Sequence, residues 1–219
     1  TTIKVQRELK TKTDLYLAPG IGDCKKWAIE LHEQYPDAAI YQINSGGKTA
    51  IDDYGDYSRY RGQLEATTSS SDVNEQYEKH KGEHQIFVGT YYSAPILEDC
   101  KRIKWDLIVA DEADVTAGLE GKRYSWILYD ENIKAEYRLY TTATGKPTTG
   151  ENTISMDDRD LYGEHTVLTD AEATDRGLMA EVENIIMSVT DDEVNVAKGF
   201  VMANGTPVQV ERVTLILTY

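Results

Sequence analysis

The chain has 219 residues, enough for one large domain or for one domain and part of a second. Hydrophobic residues make up 40% and charged residues 28%, the balance of a globular protein. The sequence contains no run of about 18 apolar residues, the length that a membrane-spanning helix needs. The formal net charge of −15 argues against wholesale wrapping of a nucleic acid but leaves room for a local basic groove.

Strand and helix signals alternate along the chain, which is typical of an α/β fold whose parallel sheet is wound with helices. In the first part, the periodicity predicts helices at 3–10 and 23–35 and strands at 14–19 and 38–43. Residues 44–71 are rich in Gly, Ser, Thr, Asp and Tyr and have little periodicity, which indicates a long exposed loop or an inserted segment.

The second part continues this alternation as far as residue 142. Helices are predicted at 72–80 and 93–101, and strands at 85–89, 105–110 and 136–142. After Pro147 we expect a polar linker, a short helix that starts with a capping box at Thr169 and Glu172 and ends at Gly177, and strands at 182–189 and 208–217. The pattern places a first domain in residues 1–150 and assigns residues 151–219 to a linker helix and strands that lead towards a second domain.

The two cysteines, Cys24 and Cys100, lie far apart and have no neighbours at metal-like spacing. We expect both to be small buried apolar residues, free thiols of a cytoplasmic protein. Residues 1–12 are charged throughout and lack the apolar segment that a secretion signal needs. The four histidines are scattered, which argues against a zinc site.

The most informative segment begins at Trp105, where an apolar run leads directly into the acidic sequence Asp111-Glu112-Ala113-Asp114. Such a run is typical of a central parallel strand, and open α/β sheets bind their ligands at the carboxyl ends of those strands. Adjacent acids suit the hydrolysis of a nucleoside triphosphate, with Asp111 holding Mg²⁺ and Glu112 orienting and deprotonating the attacking water. A positioned general base contributes about 10²–10⁴-fold in rate.

Several segments together resemble the first motor domain of superfamily 2 helicases, above all the helicase portion of restriction-type and bacterial or phage enzymes. In chain order they are LYLAPGIGDCKKW, QIFVGTYYSAP, KWDLIVADEADVTAG, YRLYTTATGKP, SMDDRDLYG and TDRGLM. Their order and spacing match the family over residues 15–179. The resemblance implies a RecA-like domain of an ATP-dependent DNA helicase or translocase, of the DEAD/DEAH-like type, that acts in restriction or phage defence.

The resemblance also implies roles for individual residues. Those implied to contact the nucleic-acid backbone are Pro19, Gly20, Gly89, Thr90 and Tyr91. Those implied to couple the nucleotide state to the grip on the strand are Asp114, Thr142, Ala143 and Thr144. The implied cofactors are Mg²⁺ and ATP, and the implied partners are duplex or single-stranded DNA and a second RecA-like domain or other subunits, without a membrane.

Two departures from the family pattern lead to a second hypothesis. Related restriction-type enzymes usually have histidine where Asp114 stands and a basic residue where Val115 stands. The family also places G-x-x-x-x-G-K-T before the first helix, and we expect that loop to lie upstream of Thr1. The isolated chain should therefore hydrolyse ATP poorly or not at all, since charge neutralisation at the phosphates is much of the catalysis. The alternative is a degenerate helicase-like domain with a structural or protein-binding role and no ATPase activity.

The sequence Gly46-Gly47-Lys48-Thr49 is similar to the end of a phosphate-binding loop. The first glycine of that motif would fall at Gln42, and the acids that follow Ile51 would repel a phosphate at a helix N-terminus. We therefore predict a polar loop here, and a different nucleotide-binding enzyme ranks below the other two hypotheses.

Overall fold

The computed structural model describes residues 2–46, 66–177, 185–187 and 215–217. The chain divides into two compact units, Thr1–His165 and Thr166–Tyr219. Among the residues described, no helix is long and apolar enough to cross a membrane.

The first unit is built around a parallel sheet. Its strands, in chain order, are β1 (Thr13–Ala18), β2 (Ala39–Ile43), β3 (Ala66–Thr67), β4 (Gln85–Thr90), β5 (Trp105–Asp111), β6 (Gly118–Leu119), β7 (Ala135–Thr141) and β8 (Thr153–Ile154). Six of them form one all-parallel sheet in the order β3-β2-β4-β1-β5-β7, while β6 and β8 form a separate antiparallel pair. The predicted α/β, RecA-like fold is thereby confirmed.

Helices connect the strands. The α-helices are α1 (Thr2–Leu9), α2 (Ile21–Gln34), α3 (Ser70–Lys79) and α4 (Arg159–Tyr162), and the 3₁₀ helices are Ala94–Asp99, Ala113–Thr116 and Arg123–Leu128. Alternate residues of each central strand point to opposite faces of the sheet. Tyr16 and Val109 therefore pack with Leu31 of α2 on one face, while Leu15 and Phe87 pack on the other. These side chains are at most 1% exposed, and each such burial contributes roughly 1.5–3 kcal/mol.

Gly89, a predicted nucleic-acid contact, lies inside this packing. A Cβ atom at residue 89 would stand 3.1 Å from the carbonyl oxygen of Ile43 and 3.5 Å from Leu17 Cδ2. The absence of a side chain lets β2 and β4 pack closely at their carboxyl ends, because any larger residue would have to displace backbone.

Three predictions about local structure are wrong: the loop over 44–71, the helix over 93–101 and the linker after Pro147. The loop predicted over 44–71 ends early, since β3 pairs with β2 and α3 begins at Ser70, where the Ser69 hydroxyl accepts a hydrogen bond from Asp72 N and caps the helix. Residues 47–65 of that segment, including Lys48 and Thr49, lie outside the described residues. The helix predicted over 93–101 is a 3₁₀ helix, Ala94–Asp99, with proline in its first turn.

The polar linker predicted after Pro147 is part of the first unit. Its β8 pairs with β6, and Ile154 and Tyr162 are at most 9% exposed. The Tyr162 hydroxyl lies 2.7 Å from the Thr116 hydroxyl, which fastens α4 to the segment that follows β5. Sparse apolar residues in a polar stretch gave no periodic signal of this packing.

The second unit contains the predicted capping box. Helix α5 (Asp170–Asp175) starts at Thr169, whose hydroxyl accepts from Glu172 N while the Glu172 carboxylate accepts from Thr169 N. Gly177 follows the helix with a φ of +66°. The late strands β9 (Ile185–Met187) and β10 (Leu215–Leu217) pair antiparallel, and the rest of the two predicted strand regions lies outside the described residues.

Candidate functional site

Asp111 stands at the carboxyl end of β5 and is held by two side-chain donors. Trp27 of α2 donates its indole Nε1–H to Asp111 Oδ2 over 2.8 Å, and Thr141 of β7 donates its hydroxyl to Asp111 Oδ1 over 3.0 Å. Thr141 is the register partner of Asp111 in the sheet. The two bonds approach different oxygens, so they fix the orientation of the carboxylate.

The backbone of Asp111 is fixed as well. The Tyr91 hydroxyl donates to the carbonyl oxygen of Asp111 over 2.7 Å, and the Tyr91 side chain is fully buried. Burial, followed by the nearby Asp111 charge, raises the pKa of Tyr91 above its ordinary value of 10.0. Tyr91 thus remains a neutral donor at physiological pH, and Asp111 is held at both its backbone and its side chain.

Glu112 is exposed and has a left-handed backbone, with φ +51° and ψ +50°. For a residue with a Cβ atom this conformation costs roughly 1–2 kcal/mol. Such outliers persist where the surrounding structure imposes them, and they are concentrated at functional sites. Glu112 therefore presents an exposed carboxylate at the residue that directly follows the fixed Asp111.

We expect Glu112→Gly to have a larger free energy of unfolding than Glu112→Ala, by about 0.5–1 kcal/mol, because glycine alone adopts the left-handed region without a steric cost. Urea unfolding of the two variants measures this difference. Glu75 provides the control, because it is exposed inside α3. There alanine should be the more stable replacement, by about 1 kcal/mol. An alanine advantage at both positions would contradict the strain at Glu112.

Asp114 and Thr142, two residues of the predicted coupling group, are in contact. The Thr142 hydroxyl lies 3.1 Å from Asp114 Oδ1 and 3.1 Å from the carbonyl oxygen of Thr144, and it accepts from Thr144 N. One hydroxyl proton serves one acceptor at a time, so this group can exchange between the two. Ala143 and Thr144 are exposed beside it. The segments after β5 and β7 are therefore joined by a side-chain hydrogen bond.

The predicted nucleic-acid contacts lie at the same end of the sheet, in the turns after β1 and β4. Pro19 and Gly20 are partly exposed, and Gly20 is the N-cap of α2. Thr90 is 6% exposed, and its hydroxyl lies 3.1 Å from the Ser93 hydroxyl. With Gly89 and Tyr91 also buried, the turn after β4 can offer a ligand backbone groups and Tyr92, whose side chain is 62% exposed.

Among the residues that the structure describes, no group of three or more His, Cys, Asp or Glu side chains could hold a metal ion, so Mg²⁺ at Asp111 would take its other ligands from waters and a nucleotide. Each carboxylate oxygen has two lone pairs, and each accepts one protein hydrogen bond, so one lone pair per oxygen remains for a cation or its waters. Mg²⁺ in nucleotide sites is held by one or two carboxylates together with waters and phosphates. Asp111 would hold the ion, which supplies charge neutralisation at the phosphates when bound. A cavity of about 190 Å³, lined by Trp27, Glu30 and Asp111 among others, lies against this carboxylate.

Two of these contributing residues could not be assigned from the sequence. Trp27 is partly exposed and bonds to Asp111 across 84 residues of sequence. Thr141 immediately precedes the predicted group 142–144. The strand register carries a usable signal, because the residue paired with the last acid of one parallel strand lies beside it on the neighbouring strand.

Comparison with known proteins connects this fold to solved structures. No family model and no curated protein matches the sequence. The fold is similar to that of a nuclease-deletion mutant of the Type ISP restriction-modification enzyme LlaGI, solved in complex with a DNA substrate mimic, with a TM-score of 0.62 and 24% identity. The match covers 81% of this chain, which spans only 15% of the length of that enzyme. This likeness shows the fold alone, a helicase-like α/β fold.

A second solved structure that was compared with this chain is a helicase domain. The Pyrococcus furiosus Hef helicase domain gives a TM-score of 0.35 and 16% identity, over 74% of this chain and 36% of that one.

Proposed function

We propose that this chain is a RecA-like motor domain of an ATP-dependent DNA helicase or translocase of the restriction or phage-defence type. The observation that carries the proposal is the Asp111 carboxylate, fixed by Trp27 and Thr141 at the carboxyl end of a central strand. Next to it stands Glu112, exposed in a left-handed turn. In this proposal Asp111 holds Mg²⁺–ATP, and Glu112 accepts the proton of the attacking water.

The contact between Asp114 and Thr142 supports a role in coupling. A bound nucleotide would act on the segment after β5. The hydrogen bond from the Thr142 hydroxyl to Asp114 Oδ1, 3.1 Å long, would transmit a shift of that segment to the segment after β7. The Thr142 hydroxyl lies within hydrogen-bond distance of both Asp114 Oδ1 and the Thr144 carbonyl oxygen, so a shift of either segment would change its partner. We infer that Thr142, Ala143 and Thr144 link the nucleotide to the grip on DNA.

The complete motor in this proposal combines this domain with a phosphate-binding loop and a second RecA-like domain. The partner, DNA, is proposed because the restriction enzyme with the similar fold was solved in complex with a DNA substrate mimic. Two RecA-like domains would enclose the nucleotide between them and supply the charge neutralisation that the described residues lack.

Calorimetric titration of Mg²⁺–ATP into the complete motor tests this proposal. We expect Asp111→Asn to abolish the magnesium-dependent binding, because a neutral amide is a poor ligand for a hard cation. Asp37→Asn is the matched control, since Asp37 is exposed and lies before β2, at the opposite end of the sheet. Equal binding by the two variants would refute the nucleotide site. The 219-residue chain alone should turn over ATP slowly or not at all, and brisk turnover would show that no separate phosphate-binding loop is needed.

A structural role without ATPase activity is the second candidate. It is favoured by the same carboxylate, because both oxygens of Asp111 already accept a hydrogen bond from the protein. In this alternative Asp111 fastens α2 and β7 to β5. Asp111→Asn would then lower the free energy of unfolding without altering nucleotide binding, and the same titration distinguishes the two.

A further inference from the structure

Three exposed cations lie in the segments that follow β6 and β7. We define the basic patch as Lys122, Arg123, Lys146 and the exposed Tyr92. Among the described residues, none of the three cations forms an ion pair within 4.0 Å.

Two of these cations approach one point. Lys122 Nζ lies 2.8 Å, and Lys146 Nζ 3.9 Å, from the position that a Cβ atom would take at Gly118. Gly118 has a φ of +112°, a conformation that side-chain-bearing residues rarely adopt, so the site is built around a glycine. Like charges this close repel each other, and an anion between them would remove the repulsion and accept charge-assisted hydrogen bonds.

The third cation orients an aromatic ring. The Arg123 guanidinium carbon lies 4.2 Å from the centroid of the Tyr92 ring, and Arg123 Nε donates to the Tyr92 carbonyl oxygen over 2.7 Å. Arg123 therefore covers part of the ring and holds it, while 62% of the residue stays exposed. An ordered, exposed aromatic ring beside cations is the surface on which bases of a single strand stack.

We propose that the basic patch binds a single-stranded nucleic acid, with a phosphate between Lys122 and Lys146 and a base stacked on Tyr92. The inference rests on the proposed function, because the strand would be the track of the motor, and it adds Lys122 and Lys146, which lie outside the turns after β1 and β4, to the contacts with the strand. An acidic peptide would satisfy the two lysines but would have no use for the ring. The combination of ring and cations favours a strand that carries both phosphates and bases.

Fluorescence anisotropy of a labelled oligothymidylate of about 16 nucleotides, titrated without nucleotide, tests this proposal. We expect Lys122→Gln and Lys146→Gln each to weaken binding and to reduce the slope of log affinity against log salt by about 0.7. Tyr92→Ala should weaken binding about 5- to 100-fold, and Tyr92→Phe should retain most of the affinity. Lys134→Gln is the matched control, because Lys134 is exposed directly before β7, at the other end of the sheet.

Three results would overturn the proposal: no binding by the unaltered chain, equal effects of Lys122→Gln, Lys146→Gln and Lys134→Gln, or equal effects of Tyr92→Ala and Tyr92→Phe. The last result would point to a polyanion without bases, such as an acidic peptide. All these side chains are exposed, and thermal unfolding followed by circular dichroism checks that each variant folds. Because nucleotide is absent, failure here leaves the Mg²⁺–ATP titration unaffected, and failure of that titration leaves this result standing.

Discussion

Replacing Glu112 with glutamine in the complete motor is expected to slow ATP hydrolysis by about 10²–10⁴-fold. The amide has nearly the size of the carboxylate but cannot accept a proton from the attacking water. The left-handed backbone at φ +51° is imposed by the turn after β5 and should persist in the variant. Affinity for Mg²⁺–ATP should change little, because the ligand of the ion in this arrangement is Asp111.

Phosphate release at saturating ATP, measured beside calorimetric binding of Mg²⁺–ATP, separates these two effects. Glu120→Gln is the control, since Glu120 is also an exposed acid in the connection between β5 and β7. Undiminished turnover by Glu112→Gln would remove Glu112 from the chemistry. A loss of affinity for Mg²⁺–ATP with unchanged turnover at saturating ATP would place Glu112 in binding rather than in proton transfer.

The central sheet could be predicted because its strands are nearly continuous apolar runs. Residues 14–18 and 105–110 are buried on both faces of the sheet, and such strands carry their signal in composition alone. The acids after β5 could be placed for the same reason, since a strand that ends in Asp111 brings its carboxylate to the carboxyl edge. The two-residue strand β3 is too short for any period to be recognised.

The partners of the site depend on contacts that are distant in sequence. Tyr91 and Tyr92 illustrate the limit of prediction from sequence, because nothing in the sequence of the turn tells which of the two adjacent tyrosines is buried. In the structure Tyr91 is fully buried and donates to Asp111 O, while Tyr92 is 62% exposed and contacts Arg123. Which ring turns inward depends on the contact between the turn after β4 and the end of β5, where the Tyr91 hydroxyl reaches the carbonyl oxygen of Asp111. The same holds for Lys122 and Lys146, which approach Gly118 from different loops.

A second group of hydrogen-bonded polar side chains lies in the first unit, at the end of the sheet opposite to Asp111. Asp14, at the start of β1, is fully buried. Its Oδ2 accepts a hydrogen bond from Gln6 Nε2 of α1 and lies 3.1 Å from His84 Nε2, while its Oδ1 has no hydrogen-bond partner. Tyr16 completes the group by donating to Gln6 Oε1 over 2.7 Å. A buried carboxylate with one unmatched oxygen depends strongly on its remaining donors.

We expect His84→Phe to lower the free energy of unfolding by about 1.5–3 kcal/mol, the range for a hydrogen bond to a charged group. Phenylalanine preserves the edge-on ring contact with Tyr35, whose centroid lies 4.9 Å from that of His84, so the change isolates the lost donor. Urea unfolding measures the effect. His84 is partly exposed, with 24% of its side chain accessible, which places the expected value towards the lower end of the range.

A double-mutant cycle with Asp14→Asn separates the pair from its surroundings. Asparagine removes the carboxylate oxygen that His84 Nε2 contacts, so His84→Phe should cost about 1 kcal/mol less in the Asp14→Asn background than in the unaltered chain. The coupling should be positive because both changes remove the same interaction. If the two changes are additive, the contact between His84 and Asp14 contributes nothing to stability, and Gln6 is the side chain that keeps the carboxylate of Asp14 in the fold.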